Sequence, residues 1–188
     1  MSPEIAYDKR KLENPPYEIH TLGDRVLRQT AKRVAKVDAE IRQIVEDMLK
    51  TMYSADGIGL AAPQVAVAKQ IIVVDIDPED ATNPPLILIN PVIRKKTGDW
   101  EVEQEGCLSI PGVYLDVKRP AIIEVAYKDE FGRPQAIRAK ELLARAIQHE
   151  MDHLSGVLFV DRVDNALLLN QELSKHGFSH QSVKPVGG

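Results

Sequence analysis

Apolar residues recur at helical spacing along three segments of the chain. This period predicts amphipathic helices over residues 38–54, 140–154 and 163–178. Asp38 stands where the first helix needs an N-cap, while Gly156 and Gly177 supply stop signals for the second and third. The middle segment, KELLARAIQHEMDHL, contains neither glycine nor proline. It is therefore predicted to be the central helix of the fold.

Shorter apolar runs between these segments are typical of β-strands. Residues 70–77 (QIIVVDID) and 86–91 (LILINP) are rich in β-branched residues and are bounded by proline and polar clusters, as buried strands are. Residues 121–139 alternate in two arms around turn residues at 129–134, and predict a hairpin. Strands outnumber helices and do not alternate with them as βαβ units do. The predicted fold class is therefore α+β, with mostly antiparallel sheets packed around the central helix, which carries HExxH.

Length and composition favour an ordinary globular domain. The 188 residues suffice for one domain with a core, and 44% hydrophobic and 28% charged residues are usual for such a domain. We expect a single domain over residues 1–188. Its first part, 1–17, is expected to be an extended lead-in, and residues 179–188 are expected to form a flexible tail.

Charge and hydropathy argue against two classes of partner. The net charge of −4 leaves no electrostatic footprint for nucleic acid, and no stretch approaches the ~20 apolar residues that span a bilayer. The first twenty residues mix acids and bases without an apolar segment, unlike a signal peptide. We expect no stable nucleic-acid binding, no membrane contact and a cytoplasmic location. An organellar stroma or matrix is the alternative if the chain is a processed form.

The central helix carries the pattern H-E-x-x-H within QHEMDHLSG, residues 148–156, which is typical of zinc proteases. Residues four apart share a helix face, so His149 and His153 can bind one metal ion. Glu150 is rotated about 100° from His149 and suits a group that moves protons rather than a ligand. In the metzincin pattern a third histidine follows at position 159, where this chain has Phe159.

The missing third ligand is sought upstream, in EQEGCLSIPG at residues 103–112. Cys107, the only cysteine, stands beside Gly106 in a stretch with the character of a loop, where a buried structural cysteine is less usual. A thiolate and two imidazoles leave a fourth coordination position open, as catalytic sites do. Asp161 and Asp164 are the alternatives. Both stand at a helix start, where an N-cap is the simpler interpretation, so Cys107 is favoured.

Three motifs, GIGLAAPQ (57–64), EGCLS (105–109) and QHEMDHLSG (148–156), occur in this order, and with them the chain resembles the peptide deformylases from about Tyr17 to Asp164. The resemblance implies an enzyme that removes the formyl group from the N-formylmethionine of nascent peptides and releases formate. It also implies one ferrous ion (Fe2+), for which Ni2+, Co2+ or Zn2+ can substitute, and cysteine suits such a soft site. N-formylmethionyl nascent peptides are the implied partners, and transient association with the ribosome stays open.

The resemblance also assigns roles to single residues. The metal ligands are Cys107, His149 and His153; Glu150 is the general acid-base; Gln64 and the backbone N–H of Leu108 hold the oxyanion. Glycines let a backbone approach a ligand, so an extended peptide is expected to pair along Ile58–Gly59, with Gly106 on the other side. Glu105 is the candidate partner that orients a ligating imidazole.

A pocket for the methionine side chain is expected from apolar residues near the helix, namely Ile58, Leu142 and Ala146. Arg145 at the same level departs from an apolar lining. Its stem is expected to cover the pocket while its head reaches solvent. Tyr114 occupies a stretch where some family members carry an arginine that contacts the peptide, so the resemblance implies no preference beyond the first residue.

Two other functions compete with deformylation. The first is a metallopeptidase or other amidase that uses the same HExxH chemistry; Phe159 and the EGCLS motif argue against it. The second is a metal-stabilised binding module on the ribosome. Glu150 argues against that function, because a structural metal site has no use for a base.

Overall fold

The computed structural model describes residues 6–187, which contain one five-stranded sheet and three α-helices. The strands are β1 (Gly59–Ala61), β2 (Ile71–Val74), β3 (Leu86–Cys107), β4 (Ile110–Lys128) and β5 (Pro134–Lys140). The α-helices are α1 (Ala39–Ser54), α2 (Glu141–Leu154) and α3 (Ala166–Lys175). The strands pair in sequence order, and every pair is antiparallel. The predicted α+β class with antiparallel strands is confirmed.

The three predicted helices are all present. Asp38 caps α1, since its carboxylate accepts a hydrogen bond from the backbone N–H of Ile41 at 3.1 Å. At the end of α2, Gly156 takes a φ of 71° and donates to His153 O at 3.1 Å, while the next N–H reaches Asp152 O at 3.0 Å. This pair of bonds is a Schellman motif, which needs a left-handed residue and so favours glycine. Gly156 therefore ends the helix, as the sequence predicts.

The strands are found where they are predicted, but two of them are much longer. Residues 70–77 and 86–91 contain β2 and the start of β3, and the hairpin at 121–139 is formed by β4 and β5. The outer half of β3 is not apparent from the sequence, because no residue from Val92 to Gln104 is buried. Pairing with β4 satisfies the backbone there without an apolar pattern. Cys107 consequently ends a strand, and the prediction of a loop at that position is wrong.

Strand β2 lies between two helices, which explains its unbroken apolar sequence. Ile71 and Val73 share a core cluster with α1, whereas Ile72 and Val74 share another with α2. Alternate side chains of a strand point to opposite faces, so both faces of β2 are covered. Helix α2 also packs on β1, β4 and β5. The second half of α2 therefore lies against β1 and the end of β3 at Cys107, and the candidate site is found there.

Both ends of the described chain contact the body. Residues 6–17 of the lead-in form no helix or strand, and residues 1–5 lie outside the described residues. In the tail, a 3-10 turn spans His180–Ser182, and Asp161 accepts hydrogen bonds from the backbone N–H groups of Lys184 and Val186 at 2.8 and 3.0 Å. Docking of this kind was not expected of the tail, and its flexibility stays a prediction. Among residues 6–187, no helix combines the length and apolar character that crossing a membrane requires.

Candidate active site

Helix α2 presents His149, Glu150 and His153 on its buried side. All three are less than a tenth exposed. The two imidazole rings lie 5.3 Å apart between centroids, in an edge-to-face arrangement. Phe159 stacks on the ring of His149 at 5.9 Å and an interplanar angle of 27°. The residue that replaces the third histidine of the metzincin pattern therefore contributes an apolar wall.

Cys107, at the end of β3, completes a group of atoms of the kinds that bind metal ions. Its Sγ lies 3.5 Å from Nε2 of His153. One donor atom from each of Cys107, His149 and His153 falls within 4.8 Å of the others. A thiolate and two imidazole nitrogens at such separations fit one divalent transition-metal ion. Two of these residues are four apart on α2, and the third comes from the adjoining strand end.

Glu105 forms a hydrogen bond with the first of these imidazoles. Its carboxylate lies 2.8 Å from Nδ1 of His149, which leaves Nε2 of that ring for the metal. The same carboxylate accepts bonds from Arg119 at 2.5 and 2.9 Å and from Arg145 at 2.7 Å. Burial alone raises the pKa of Glu105, but hydrogen bonds from His149 and Arg119 and the charge of Arg119 together hold it well below its usual range.

Arg145 differs from its predicted placement. The guanidinium does not reach solvent but is buried, and besides Glu105 it donates to the carbonyls of Val117 and Glu101 at 2.8 and 2.9 Å. The negative charge of Glu105 and the free carbonyls of two strands are a better environment for this buried cation than an apolar wall. The stem still lines the cavity.

Burial and neighbouring groups shift the pKa values of the three side chains on α2 in different directions. For His153, burial and the nearby charge of His149 lower the pKa well below its usual value. For His149, burial also lowers the pKa, but the hydrogen bonds to Cys107 and Glu105 outweigh it and raise the pKa well above its usual value. Burial raises the pKa of Glu150 to about 7. A carboxyl group with that pKa can both accept and release a proton near neutrality.

Gly59 makes room for the carboxylate of Glu150. A Cβ at residue 59 would lie 2.6 Å from Oε1 of Glu150, closer than real Cβ atoms approach. Among the described residues, no group pairs with the other oxygen, Oε2. A buried, unpartnered carboxylate oxygen is costly to maintain and marks a functional group.

Gln64 is held with its amide nitrogen toward Cys107. Its Oε1 accepts a hydrogen bond from the N–H of Ala61 at 2.9 Å, which fixes the orientation of the amide. Nε2 then donates to Oγ of Ser109 at 3.0 Å and lies 3.6 Å from Sγ of Cys107. Leu108 lies between these two partners, in the turn from β3 to β4.

A cavity of about 530 Å³ opens beside this group. It is lined by all six residues predicted to contact substrate: Ile58, Gly59, Gly106, Leu142, Arg145 and Ala146. Tyr114 also lines it, and its ring lies over Gly106, which has no side chain to obstruct it. Three further lining residues, Ile19, Pro111 and Gly112, are not predicted from the sequence. The last two follow the EGCLS motif closely enough to have been considered, whereas nothing in the sequence around Ile19 indicates the cavity.

Neither of the two alternative ligands belongs to the candidate metal-binding group. Asp161 pairs with Arg28 at 2.6 and 3.0 Å and is not part of the metal-binding group. Asp164 is not part of it either. The N-cap interpretation of these aspartates is also wrong, because the side chain of Asn165 caps α3 by accepting from the N–H of Leu168 at 3.0 Å. Asp161 instead accepts from the N–H of Leu158 at 2.8 Å, at the start of a 3-10 turn.

A thiolate and an HExxH helix that meet beside a cavity, with a glutamate able to exchange protons, define a metal-dependent hydrolase. Comparison with known proteins identifies which one. Residues 16–167 match the model of the family described as Polypeptide deformylase. Peptide deformylase 1 of Nostoc sp. is 67% identical over 99% of this chain and 100% of the relative, and peptide deformylase of Microchaete diplosiphon is 66% identical over the same shares.

Solved structures agree with the sequence comparison. A crystal structure of a peptide deformylase from Synechococcus elongatus in complex with actinonin has a TM-score of 0.94 and 63% identity, covering 99% of this chain and 100% of that one. Peptide deformylase from Thermotoga maritima has a TM-score of 0.74 and 40% identity, covering 79% of this chain and 97% of that one. The chain belongs to the peptide deformylase family and is a metal-dependent enzyme that acts on N-formylated nascent peptides.

Proposed function

We propose that this enzyme removes the formyl group from N-formylmethionine through a metal held by Cys107, His149 and His153. The observation that carries this proposal is the convergence of the Cys107 thiolate with both imidazoles, within 4.8 Å. A divalent ion held there would act as a Lewis acid toward water and the formyl carbonyl. The remaining chemistry belongs to the side chains around it.

Glu150 is the proposed proton carrier. Its carboxylate takes a proton from the water that adds to the formyl carbon, and it returns that proton to the leaving amine as the C–N bond breaks. The products are formate and a peptide with a free amino group. The unpartnered Oε2 and a pKa near neutrality support this role. Gln64 Nε2 and the N–H of Leu108 are the proposed donors to the oxygen that gains negative charge.

The cavity supports an extended peptide with a methionine-sized first side chain. The proposed contacts are backbone pairing along Ile58–Gly59, with Gly106 opposite, and apolar contact of the methionine with Leu142 and Ala146. Arg145 contributes the stem of its side chain to the wall, and Glu105 holds its head. Glu105 also fixes the tautomer of His149, which is its proposed role in metal binding.

Ferrous ion is the proposed native metal, with nickel, cobalt or zinc able to replace it. A cysteine in the ligand set favours soft ions of this kind. Iron beside a thiolate is open to oxidation of the ion, of Cys107 or of both. The iron form should therefore lose activity in air while the nickel form keeps it. Equal survival of the two forms would contradict either the iron or the thiolate ligand.

The proposed partners are N-formylmethionyl nascent peptides, met in transient association with the ribosome. Such chains are produced by translating ribosomes, so the cytoplasm is the proposed location, or an organellar compartment that translates its own messages. The cavity, sized for a single side chain and an extended backbone, supports a linear peptide as the partner. We propose that neither a nucleic acid nor a membrane is bound stably.

The direct test is formate release from a short N-formylmethionyl peptide by protein purified without oxygen and loaded with ferrous ion or nickel. We expect rapid release, and a loss of about a hundredfold or more in kcat for Glu150→Gln with the metal still bound. The same preparations should leave an unformylated peptide of equal length uncleaved. Cleavage of internal peptide bonds, or full activity of Glu150→Gln, would contradict the proposal.

A further inference from the structure

The chain runs behind the cavity before the family match begins. The family model starts at residue 16, but residues 6–15, here called the strap, are part of the described structure. The strap has no helix or strand, so bonds to the body fix its path. Tyr7 N donates to Ala81 O and Leu12 N to Oγ of Ser54, both at 2.9 Å. The strap therefore crosses from the loop after β2 to the end of α1.

Lys9 is the buried anchor of the strap. Its side chain is 5% exposed, and its Nζ lies 2.7 Å from Oδ2 of Asp75, whose side chain is fully buried. Nζ also donates to the carbonyls of Asp80 and Asp77 at 2.6 and 3.3 Å. Three acceptors match the three protons of an ammonium group. Lysine is almost never buried unless it is paired in this way, so Lys9 is committed to this position.

Asp75 connects this anchor to the cavity wall. Its backbone N–H donates to the carbonyl of Ile58 at 2.8 Å, and its carboxylate also accepts from the hydroxyl of Tyr53 at 2.7 Å. The preceding residue, Val74, pairs with Gly59 across β1 and β2. Ile58 and Gly59 are the proposed pairing edge for the peptide substrate. Lys9 is thus linked to that edge through Asp75 alone: the Asp75 carboxylate pairs with Lys9, and the Asp75 N–H donates to Ile58.

We propose that Lys9 is a positioning residue for this reaction: through Asp75 it holds the Ile58–Gly59 edge where an incoming peptide backbone can pair with it. The inference rests on the proposed function, in which that edge binds the substrate. Without Lys9, the buried carboxylate of Asp75 loses its counter-charge and must draw in water or move. Either response loosens the bond from Asp75 to Ile58.

Lys11 provides a matched control on the same strap. It pairs with Asp56, which also lines the cavity, but both side chains are more than three-fifths exposed. Exposed ion pairs contribute little, because water competes for both charges. Lys9→Met and Lys11→Met make the same chemical change two residues apart. Only the first removes a buried contact.

The kinetic test compares these variants on two substrates, an N-formylmethionyl tripeptide and N-formylmethionine amide, which lacks the downstream backbone. For Lys9→Met we expect KM for the tripeptide to rise about threefold to tenfold, with kcat and the KM for the amide close to those of the unmodified enzyme. Lys11→Met should match the unmodified enzyme on both substrates. An equal rise on both substrates, or no difference from Lys11→Met, would overturn the proposal.

A second variant and a second readout keep the test decisive. Lys9→Met with Asp75→Asn releases the strap without leaving a buried charge, so it should fold even if the single variant folds poorly. It should still show a tripeptide-specific rise in KM, smaller than that of the single variant, because residue 75 loses its contact with the strap but no unpaired charge is left to draw in water. Hydrogen exchange of the Asp75 amide, followed on metal-loaded protein, should accelerate in both. If the unmodified chain releases no formate, the proposed function fails, and exchange alone decides the coupling: unchanged exchange overturns it and faster exchange supports it.

Discussion

At the scale of single residues, the carboxylate of Glu105 connects His149 to two buried guanidinium groups. We expect Glu105→Gln to lower the free energy of unfolding by about 3 kcal/mol, because Arg145 would lose its buried counter-charge and Arg119 would keep only Asp152. Metal affinity should fall about tenfold to a hundredfold as His149 loses the acceptor that orients it. Denaturant unfolding and competition with a metal chelator measure the two effects.

Glu103→Gln is the control for that substitution, since Glu103 lies two residues earlier on β3 and is exposed. It makes the same chemical change without touching the buried arginines. The control should change both quantities little, because surface substitutions away from such contacts have small effects. Equal effects of the two variants would mean that the buried network around Glu105 stabilises neither the fold nor the position of His149.

Gly59 is a second residue whose role is geometric. A Cβ there would meet Oε1 of Glu150 at 2.6 Å, so Gly59→Ala must displace the proposed proton carrier. A misplacement of about 1 Å at a reacting group can cost about a hundredfold in rate, and we expect a loss of that order in kcat. Steady-state formate release measures it, with the melting temperature as a check on folding.

Gly57→Ala is the comparison for Gly59→Ala. Its added Cβ would meet Cδ1 of Leu108, also at 2.6 Å, which is the end of a flexible apolar side chain. The clash is equal in size but spares the carboxylate of Glu150. We therefore expect a smaller loss of kcat than for Gly59→Ala. A larger loss at Gly57 would show that crowding of the wall, rather than displacement of Glu150, limits the rate.

At the scale of elements, the end of α2 depends on the backbone conformation of Gly156. Its φ of 71° disfavours any side chain, and an added Cβ would also lie 2.8 Å from the backbone oxygen of Arg28. Gly177, at the end of α3, has a φ of 81° but open space around it. We expect Gly177→Ala to destabilise by about 1 kcal/mol and Gly156→Ala by roughly 3 kcal/mol.

The difference between these two glycine variants isolates the contact with Arg28, because both share the cost of the left-handed backbone. Denaturant unfolding curves with a common slope measure it. Equal destabilisation would mean that the backbone around Arg28 relaxes freely. The proposed metal ligand His153 lies three residues before Gly156, so metal affinity should also fall more for Gly156→Ala than for Gly177→Ala.

The elements also explain which parts of the fold follow from sequence. The three helices are predicted correctly because their apolar periodicity reflects one buried face, as in α1 and α2. The outer half of β3 is missed because a strand with no buried residue leaves no apolar alternation. Its pairing with β4 is a long-range interaction between two backbones, and the sequence of neither segment alone contains a pattern that predicts it.

The residues of the candidate site likewise include some that follow from the sequence and some that do not. The proximity of His149 and His153 follows from helical spacing, and Cys107 was found through its motif. Arg119 was not found, although it contacts Glu105, because it lies opposite Glu101 in the pairing of β3 with β4 and reaches Glu105 only through its long side chain. Ile19 was missed for a similar reason: the segment that follows the lead-in reaches the cavity only after the chain has folded.

At the scale of the whole molecule, the described segments 6–15 and 168–187 lie beyond the family match at 16–167, and both contact the catalytic body. The strap lies behind one wall of the cavity. On the other side, His176 at the end of α3 lies over Gly112, where an added Cβ would meet its ring at 2.7 Å, and Gly112 lines the cavity. The segments outside the family match therefore contact two residues of the cavity wall, Asp56 and Gly112.

The docked tail gives the whole-molecule prediction. Ending the chain at Phe178 removes the carbonyl of Ser182 that accepts from Arg28 at 2.7 Å and two N–H donors to Asp161, but it leaves the Arg28–Asp161 pair intact. We expect the free energy of unfolding to fall by about 1–3 kcal/mol, the net effect of a few hydrogen bonds to charged groups. Activity below the melting range should persist, because none of these contacts reaches the cavity.

Denaturant unfolding of the metal-loaded chains measures the loss, with a chain ending at Val186 as the control that keeps every one of these bonds. If the tail is flexible in solution, as the sequence predicts, the chain ending at Phe178 will be as stable as the control; a clear loss would mean that the docked arrangement is the dominant one.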